Sequence, residues 1–383
     1  AANLNHVEVR YLVDVGNGVT DVAWTNGSGI LEYGSNGSVF IDNYSSEPYV
    51  GRMHNKFVSI RQTDFGPTVL YGSCNLGSGS HGRYQAMTQI SGIDALWQTY
   101  NRYFTNMLKY NPDIVLDDLP HNFYSGEDYF QGDPNDGTEF SEEVSCVSEE
   151  GCSVLCTCSD DLQKRYHELG SDYDAEPIVI GNLKIESWFF PRLATSDAPL
   201  AQILEEVKDW LSDNSTRRAE IFFMHMIPKD KNTMEALIAL HQHPRADVLS
   251  LSSVWDLNGQ NGADDDDMHY PNDSGSNYVL PLENARYSTN KHKVHAKWVA
   301  IKKWHLSGSI PVVDEYSLVN GSMNVTQTSI LGRDENLTCV TWSADTTQDS
   351  INFEKHVYQP YVDFFSRGYN STLYTDGVGA AVS

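Results

Sequence analysis

Hydrophobic and polar positions along the chain follow two periods, one typical of strands and one typical of helices. Runs rich in β-branched residues, such as VEVRYLVD from Val7, alternate with amphipathic stretches such as AQILEEVKDWLSD from Ala201. This alternation is typical of α/β layer structures, in which helices join parallel strands. We therefore predict an α/β fold built from mixed, mostly parallel sheets that are flanked by helices.

The chain also contains an internal repeat. A His-x-Lys motif opens an apolar strand in each half, at 54–56 before FVSI and at 295–297 before WVAI. Each motif is followed by a returning strand that ends in a corner of small residues, and then by a helix. The corner is GSCN at 72–75 in the first half, and we assign WSAD at 342–345 in the second half. The repeat predicts two duplicated lobes.

The lobes have predicted bounds. The first covers residues 1–121, an acidic segment rich in Ser, Gly and Cys at 122–174 is a linker, and the second covers 175–383. The first lobe lacks counterparts of 201–245, because its matching strand begins only at Val7. We therefore expect an upstream segment of roughly fifty residues, the usual size of a strand with two helices. It is either cleaved and retained or absent from this sequence.

The paired motifs indicate one shared site. Strand alternation places the His and the Lys of each motif on the same face, so that both side chains can enter one pocket. A single His-x-Lys is weak evidence for a functional site. Two copies, each opening an apolar strand and each followed by a similar corner, are strong evidence. The candidate catalytic residues are His54, Lys56, Ser73, Asn75, His295, Lys297, Ser343 and Asp345.

These motifs resemble the HKD motif of the phospholipase D superfamily, His-x-Lys followed by Gly-Ser-x-Asn, and the resemblance covers most of the chain. It implies two phospholipase D-like lobes with the site at their pseudo-twofold interface. It also implies phosphodiester cleavage without a cofactor or metal. One His attacks phosphorus to form a phosphohistidine, while the other protonates the leaving oxygen and then activates water. The Lys, Ser and Asn groups hold the non-bridging oxygens.

Between the two histidines, we favour His54 as the nucleophile because its motif is the more complete, although reversed roles stay open. The family pattern usually continues to an Asp five residues after the Lys, where this chain has Arg61 and Lys302. A later acidic residue is represented in the first lobe by Gln85 or Gln89 at best, and Asp345 would place negative charge beside phosphate. A family member with weakened catalysis therefore stays an alternative.

Charge limits the classes of partner. The formal net charge of −26 argues against a protein that coats nucleic acid or anionic membranes through a general basic surface. Lysines and arginines nevertheless gather near both motifs, which predicts local capture of an anionic substrate. The candidate substrate-binding residues are Arg52, Lys293 and Trp342.

Two features indicate the secretory pathway. The Asn-x-Ser/Thr acceptors for glycans are Asn26, Asn36, Asn43, Asn214, Asn272, Asn320, Asn324, Asn336 and Asn370. Four of the six cysteines crowd together, namely Cys146, Cys152, Cys156 and Cys158. We predict disulfides there rather than zinc, because the paired Cys-x2-Cys of common zinc sites is missing. The expected location is extracellular or the lysosomal lumen.

Three functions compete. The favoured function is cleavage of nucleic acid, especially single-stranded, because the secretory and lysosomal exonuclease branch of the superfamily also carries glycans and disulfides. Cleavage of lipid at its head group ranks lower, since no long interfacial amphipathic stretch is evident. The third function is a structural or binding glycoprotein. A homo-oligomer and a cleaved N-terminal segment are compatible partners.

Overall fold

The computed structural model describes residues 9–14, 37–42, 52–75, 83–110, 173–190, 192, 195–226, 230–241, 243–244, 249–256, 269–271, 277–279, 285–288, 294–326, 329–330, 333–369 and 374–376. The predicted disulfide cysteines Cys146, Cys152, Cys156 and Cys158 lie outside the described residues. None of the helices within these ranges is both long and apolar enough to cross a membrane.

Strands outnumber helices in the described parts of the chain. The strands are β1 (Val9–Asp14), β2 (Gly37–Asp42), β3 (Arg52–Met53), β4 (Phe57–Ile60), β5 (Thr68–Gly72), β6 (Met87–Ser91), β7 (Ile178–Ile180), β8 (Leu183–Phe189), β9 (Arg217–His225), β10 (Leu249–Asp256), β11 (His269–Pro271), β12 (Asn277–Val279), β13 (Ala285–Ser288), β14 (Lys297–Ser307), β15 (Ile310–Gly321), β16 (Arg333–Asp334), β17 (Asn336–Ser343) and β18 (Tyr374–Asp376). The α-helices are α1 (Asp94–Tyr110), α2 (Pro199–Asp213), α3 (Lys231–His241), α4 (Gln348–Phe353) and α5 (Gln359–Tyr369), with a π-turn, Glu354–Tyr358, between the last two.

The largest sheet has nine strands in the order β18-β13-β10-β9-β14-β15-β17-β8-β7. Strand β10 pairs in parallel with β9 and β13, whereas the pairings from β9 through β14, β15, β17 and β8 to β7 are antiparallel. The α/β prediction is confirmed, but the prediction of mostly parallel strands is wrong. Antiparallel neighbours can be joined by a short turn, as β14 and β15 are around Gly308, whereas parallel neighbours need a crossover such as α3.

Helices cover both faces of this sheet. On one face, Leu204 and Val207 of α2 pack in the same cluster as Val299 and Ile301 of β14. These helix residues repeat at the three-residue spacing that makes one side of a helix apolar. On the other face, Trp298 packs with α5 residues. Alternation along β14 therefore sends successive side chains into two separate cores.

A second, smaller sheet is formed by β4, β5 and β6, which pair antiparallel in that order. Helix α1 covers one of its faces, where the rings of Phe57 and Tyr71 lie 5.0 Å and 5.9 Å from the ring of Tyr100. This sheet directly follows the first His-x-Lys motif. In the same way, strands β14, β15 and β17 of the large sheet follow the second motif.

The strand register repeats between these two sets of three strands. Each cross-strand pair of the small sheet has a counterpart at the equivalent position of the large sheet. The pairs are Val58 with Leu70 and Val299 with Val319, Leu70 with Gln89 and Val319 with Cys339, and Gly72 with Met87 and Gly321 with Leu337. The internal repeat predicted from the sequence therefore has a local counterpart in the strand pairing around both motifs.

Two short parallel pairings join the two halves of the chain just before the His-x-Lys motifs. Strand β3 pairs with β16, and its last residue, Met53, lies beside Asp334. In the other half, Tyr84 pairs in parallel with Val294, and the amide of His295 donates to the Tyr84 carbonyl at 2.9 Å. The chain therefore enters each His-x-Lys motif from a strand that lies against the opposite half.

Candidate functional site

The two His-x-Lys motifs have the same internal hydrogen bond. The ammonium of Lys56 donates to the backbone carbonyl of His54 at 2.6 Å, and that of Lys297 donates to the carbonyl of His295 at 3.0 Å. Each lysine therefore turns back over its own motif. This contact holds a positive charge beside each imidazole, which is what binding of a phosphate oxygen requires.

The imidazole of His54 is held by a carboxylate from the other half of the chain. Its Nδ1 lies 2.7 Å from Oε1 and 2.8 Å from Oε2 of Glu335, whose side chain is fully buried. An ionised carboxylate can only accept, so Nδ1 carries a proton, and in the neutral ring Nε2 then keeps its lone pair. The ring is therefore oriented, with a negative charge behind it.

The imidazole of His295 has a different partner. Its Nδ1 lies 2.9 Å from the backbone carbonyl oxygen of Ser73, which belongs to the corner of the first half. A carbonyl also only accepts, so Nδ1 donates and Nε2 again carries the lone pair. The Lys297 ammonium lies 3.3 Å from the same Nδ1, where it opposes a positive charge on the ring.

Electrostatics keep His295 neutral in the ligand-free protein. Burial, followed by the positive charges of Lys297 and Lys56, lowers the pKa of His295 to about 2. Arg83 and His54 act in the same direction. The two motifs are therefore close enough to share one electrostatic environment. An anion bound between the lysines would offset this repulsion.

The structure corrects the second corner. Strand β15 ends at Gly321 and continues into GSMN at 321–324, which stands where GSCN at 72–75 follows β5. In both corners the serine amide donates to a backbone carbonyl of the next strand, of Ala86 at 2.9 Å and of Asn336 at 3.0 Å. The assignment of the second corner to 342–345 was therefore wrong. Asn324 is the counterpart of Asn75.

Glycine is required at the start of each corner because the neighbouring backbone passes very close. A Cβ on Gly72 would clash with the carbonyl oxygen of Ala86, and a Cβ on Gly321 would clash with that of Asn336. The corner serines are equally constrained. Ser73 Oγ accepts from the Ala86 amide at 3.0 Å, and Ser322 Oγ accepts from the Asn336 amide at 3.0 Å. These hydroxyls thus fix the corner.

Residues 342–345 lie at the far end of β17. Trp342 stands six residues beyond Asn336, roughly 20 Å along an extended strand, and its ring stacks on Phe353. Ser343 donates its amide to the Asn182 carbonyl, and Asp345 accepts from the side chain of Ser350 at 2.7 Å. Hydrogen bonds from Thr347 and then Ser350 lower the pKa of Asp345. Trp342 and Asp345 therefore contact Ser350 and Phe353 of α4, and the predicted roles of Trp342, Ser343 and Asp345 in the site are wrong.

The other departures from the family pattern also have structural explanations. Arg61 lies over the ring of Trp97 at 5.6 Å, and the Lys302 ammonium lies 3.3 Å from a Glu354 carboxylate oxygen. Both side chains therefore have partners outside the motifs. The backbone of Arg52 lies in β3, but its side chain and the whole of Lys293 lie outside the described residues.

Sequence reasoning missed Glu335 and Arg83. Glu335 follows β16 by one residue, and Gln85 holds the equivalent position after Tyr84 in the first half. The Gln85 side-chain oxygen accepts from the Asn75 amide at 3.3 Å. One half-site therefore has a buried carboxylate where the other has an amide. An alignment of the two GS-x-N corners would have come within one residue of this pair, because Gln85 lies 13 residues after Gly72 and Glu335 lies 14 residues after Gly321.

Three predicted glycan acceptors are buried. Asn320 donates its amide to Thr88 Oγ1 at 2.9 Å, and Asn336 donates to the Asn55 side chain at 2.8 Å. Both are fully buried, and Asn324 is 6% exposed. This burial argues against glycans on these asparagines. Asn214 is exposed at the end of α2. The other acceptors, Asn26, Asn36, Asn43, Asn272 and Asn370, lie outside the described residues.

His225 is a second buried histidine beside the site. It ends β9 directly opposite Lys297, is fully buried, and its two ring nitrogens have no hydrogen-bond partner. Burial, and then the charge of Lys297, lowers its pKa to about 3. Cys74 and Cys339 are free thiols, and no group of three or more His, Cys, Asp or Glu able to hold a metal occurs among the described residues.

No family model and no curated protein matches the sequence. Among solved structures, phosphatidylserine synthase from Haemophilus influenzae Rd KW20 is similar, with a TM-score of 0.50 and 11% identity over 96% of this chain and 74% of that chain. Nuc, a phospholipase D family member from Salmonella typhimurium, matches with a TM-score of 0.26 and 17% identity over 51% and 97% of the chains. Yeast tyrosyl-DNA phosphodiesterase matches with a TM-score of 0.33 and 9% identity over 88% and 78%.

The chain shares its α/β fold with this phosphatidylserine synthase. The resemblance predicted from the paired His-x-Lys and Gly-Ser-x-Asn motifs is confirmed. At these identities the similarity concerns the fold, and the chemistry of the site follows from its own residues.

The pKa of His225 gives a pH prediction. The pKa of His225 is about 6.5 in the unfolded chain and about 3 in the folded chain. Between these pH values, the unfolded chain therefore binds a proton that the folded chain does not. The free energy of unfolding therefore falls as the pH drops below 6.5. In the His225→Leu variant this fall should be shallower by up to about 1.4 kcal/mol per pH unit.

Urea unfolding between pH 7.5 and 5 measures this slope. His356→Leu, at an exposed position, provides the matched control for the substitution itself. Equal slopes for the wild type and His225→Leu would contradict a neutral, buried His225.

Proposed function

We propose that this protein cleaves phosphodiesters through a phosphohistidine intermediate. The observation that carries the proposal is that each histidine is held by a partner from the other half, His54 by the Glu335 carboxylate and His295 by the Ser73 carbonyl. Both rings present Nε2 with a lone pair, and each has a lysine beside it. A phosphodiester needs a nucleophile on one side and an acid on the other, and two facing imidazoles can supply both.

Positive charge in the site suits a phosphate that lies between the halves. Lys56, Lys297 and Arg83 all act on His295, so an anion there would face three cations. Fixed charges in a largely buried site stabilise developing negative charge far better than charges in water do. The negative charge of the whole chain then limits binding of polyanions elsewhere.

We assign the nucleophile to His54. Attack by its Nε2 on phosphorus forms a P–N bond and gives the ring a positive charge. The buried Glu335 carboxylate can compensate that charge, whereas the equivalent position beside His295 holds the uncharged Gln85. The sequence-based reason for this choice, a more complete first motif, no longer applies because both motifs contain Gly-Ser-x-Asn.

His295 then acts as the acid and later as the base. Binding of the phosphodiester anion offsets the lysine charges that keep its ring neutral, so that Nε2 can take up a proton. As the P–O bond breaks, the leaving oxygen takes this proton. In the second step His295 removes a proton from water, the hydroxide attacks phosphorus, and the P–N bond to His54 breaks. Transfer to an alcohol would use the same intermediate.

The proposal includes the division of the chain into two lobes. The repeated register around the two motifs supports two duplicated lobes, at 1–121 and 175–383, with the site at their pseudo-twofold interface. Nucleic acid remains the favoured substrate class. Transfer to or from a lipid head group is retained as an arm of the test, because the structure similar over most of this chain is named a phosphatidylserine synthase.

Turnover of three substrates tests the function. We expect single-stranded DNA, phosphatidylcholine vesicles and a bis-nitrophenyl phosphate to be cleaved at different rates, with DNA the fastest. His54→Ala and His295→Ala should each reduce the rate by at least about 10²-fold, the usual contribution of an acid, base or nucleophile. Folded protein without turnover on any substrate would favour a binding or structural role.

The leaving group separates the two histidines. Nitrophenolate leaves without help, so His295→Ala should still form the phosphorylated enzyme and release one equivalent of nitrophenol, whereas His54→Ala should release none. Mass spectrometry of the acid-free, alkaline digest should place the phosphate on His54. Phosphate on His295 would reverse the assigned roles.

Substitution of Glu335 tests the compensating charge. Glu335→Gln keeps the shape and the hydrogen-bonding atoms but removes the charge, so kcat should fall by about 10² to 10⁴-fold. Gln85→Glu is the matched change at the equivalent position and should cost less, because His295 returns to its neutral form. A Glu335→Gln variant with unchanged kcat would contradict compensation of the ring charge.

We also propose that the protein passes through the secretory pathway, as the Asn-x-Ser/Thr sequences and clustered cysteines predict. Enzymatic deglycosylation of protein from eukaryotic cells should reveal a glycan on the exposed Asn214 and none on the buried Asn320, Asn324 and Asn336. Asn214→Gln should remove one glycan mass. Protein without any glycan would contradict this localisation.

A further inference from the structure

Two asparagine side chains join the two halves of the chain directly beside the His54–Glu335 contact. The Asn336 amide donates to the side-chain oxygen of Asn55 at 2.8 Å. Asn336 follows Glu335 in the sequence and is fully buried, and Asn55 follows His54. The parallel pairing of β3 with β16 therefore continues for two more residues through side chains, first by the His54–Glu335 contact and then by this amide pair.

The amide pair belongs to a closed ring of hydrogen bonds around Glu335. The Asn55 side-chain amide donates to the hydroxyl of Tyr103 on α1 at 3.0 Å, and this hydroxyl donates to the carbonyl of Phe190 at 3.2 Å. The Phe190 amide in turn donates to the backbone carbonyl of Glu335 at 3.1 Å. Because Asn336 is bonded covalently to Glu335, the ring closes. Hydrogen bonds linked in this way rigidify the groups that they join.

The equivalent positions of the other half-site hold two alanines. The corner serines donate their amides to the carbonyls of Ala86 and Asn336, so these two residues are counterparts. In the same way, Ala296 in the second His-x-Lys motif is the counterpart of Asn55. Ala296 is buried in an apolar cluster, and Ala86 packs against that cluster. The backbone of these segments therefore accommodates alanine at both positions.

The two imidazoles are oriented by groups of different kinds. His295 is held by a backbone carbonyl, that of Ser73, and the Ser73 hydroxyl already fixes this corner. His54 is held by the end of the Glu335 side chain, a flexible chain that loses rotamer freedom when it is fixed. The His54 half-site therefore needs further groups that keep its orienting residue in place.

The Asn336 amide is unfavourable for folding by itself. It is fully buried, and its oxygen has no hydrogen-bond partner within the described part of the chain. A buried polar atom without a partner destabilises the folded state, and alanine would avoid this cost. An amide at such a position, where the other half has alanine, indicates a role in the site rather than in stability.

We propose that Asn55 and Asn336 are positioning residues that hold the Glu335 carboxylate against His54 during formation of the phosphohistidine. Any movement of Asn336 would carry Glu335 with it, since the two residues are adjacent. The amide pair ties this segment to the His-x-Lys motif of the other half, so the carboxylate stays in place when the ring gains its charge. The catalytic consequence rests on the proposed function, whereas the positioning of Glu335 on His54 does not.

A double-mutant cycle tests the positioning role. With bis-nitrophenyl phosphate as substrate, Asn336→Ala and Asn55→Ala should each lower kcat by about 10- to 100-fold, as misplacement of a reacting group does. KM should stay within about twofold of the wild-type value. In the Glu335→Gln background, Asn336→Ala should lower kcat by less than about twofold, because the carboxylate that it positions is already absent.

Two further variants separate positioning from a general loss of structure. Asn320→Ala removes another fully buried amide, which donates to Thr88, and its effect on kcat should be the same in both backgrounds. Tyr103→Phe removes one hydroxyl from the ring of hydrogen bonds and keeps the stacking on Phe189. It should lower kcat in the wild-type background but not in the Glu335→Gln background.

A measurement without substrate keeps this inference apart from the proposed function. NMR of protein with ¹⁵N-labelled histidine follows the Nδ1 proton of His54, which is assigned by its loss in His54→Ala. This proton should exchange with water at least about 10-fold faster in Asn336→Ala and Asn55→Ala than in the wild type or Asn320→Ala. If the wild type shows this behaviour without any turnover, the proposed function fails and the positioning role stands.

Three outcomes would overturn the inference. The first is a kcat of Asn336→Ala that equals the wild-type value, or that falls by the same factor in the Glu335→Gln background. The second is an exchange rate of the His54 Nδ1 proton that Asn336→Ala leaves unchanged. The third is a His54 Nδ1 proton that already exchanges too fast to be observed in the wild type.

Discussion

The site depends on the parallel pairing of short strand ends across the two halves. Asp334 lies beside Met53, so the next residue of each strand, Glu335 and His54, is brought into contact. The same arrangement around Tyr84 and Val294 brings His295 to the Ser73 carbonyl. Neither half has a complete site by itself, because each imidazole takes its orienting partner from the other half.

Because of this pairing, the backbone passes very close to the Gly-Ser-x-Asn corners after β5 and β15. The chain turns from β5 and β15 into the site where the next strand passes, and only glycine avoids a clash with its carbonyl oxygen. The following serine satisfies the amide and carbonyl groups that such a close passage exposes. The glycine and serine of the Gly-Ser-x-Asn sequence are therefore required by the backbone geometry of the corner.

Charge is arranged around these contacts in an unequal way. A carboxylate stands behind His54 and an amide stands at the equivalent position, while lysines flank both rings. A twofold-like backbone thus carries different electrostatics in its two halves. The proposed chemistry uses this inequality, because one ring must hold a phosphoryl group and the other must exchange a proton.

The sequence by itself indicated the resemblance to the superfamily, the α/β class, both His-x-Lys motifs and the first corner, since these are local patterns of a few residues. It misplaced the second corner because β15 has 12 residues where β5 has 5, and because NGSMN contains acceptor sequences for glycans. Only the tertiary structure decided the antiparallel pairing, the burial of Asn320 and the partner of His54. Glu335 lies 281 residues away from His54, and no local pattern encodes a contact between such distant residues.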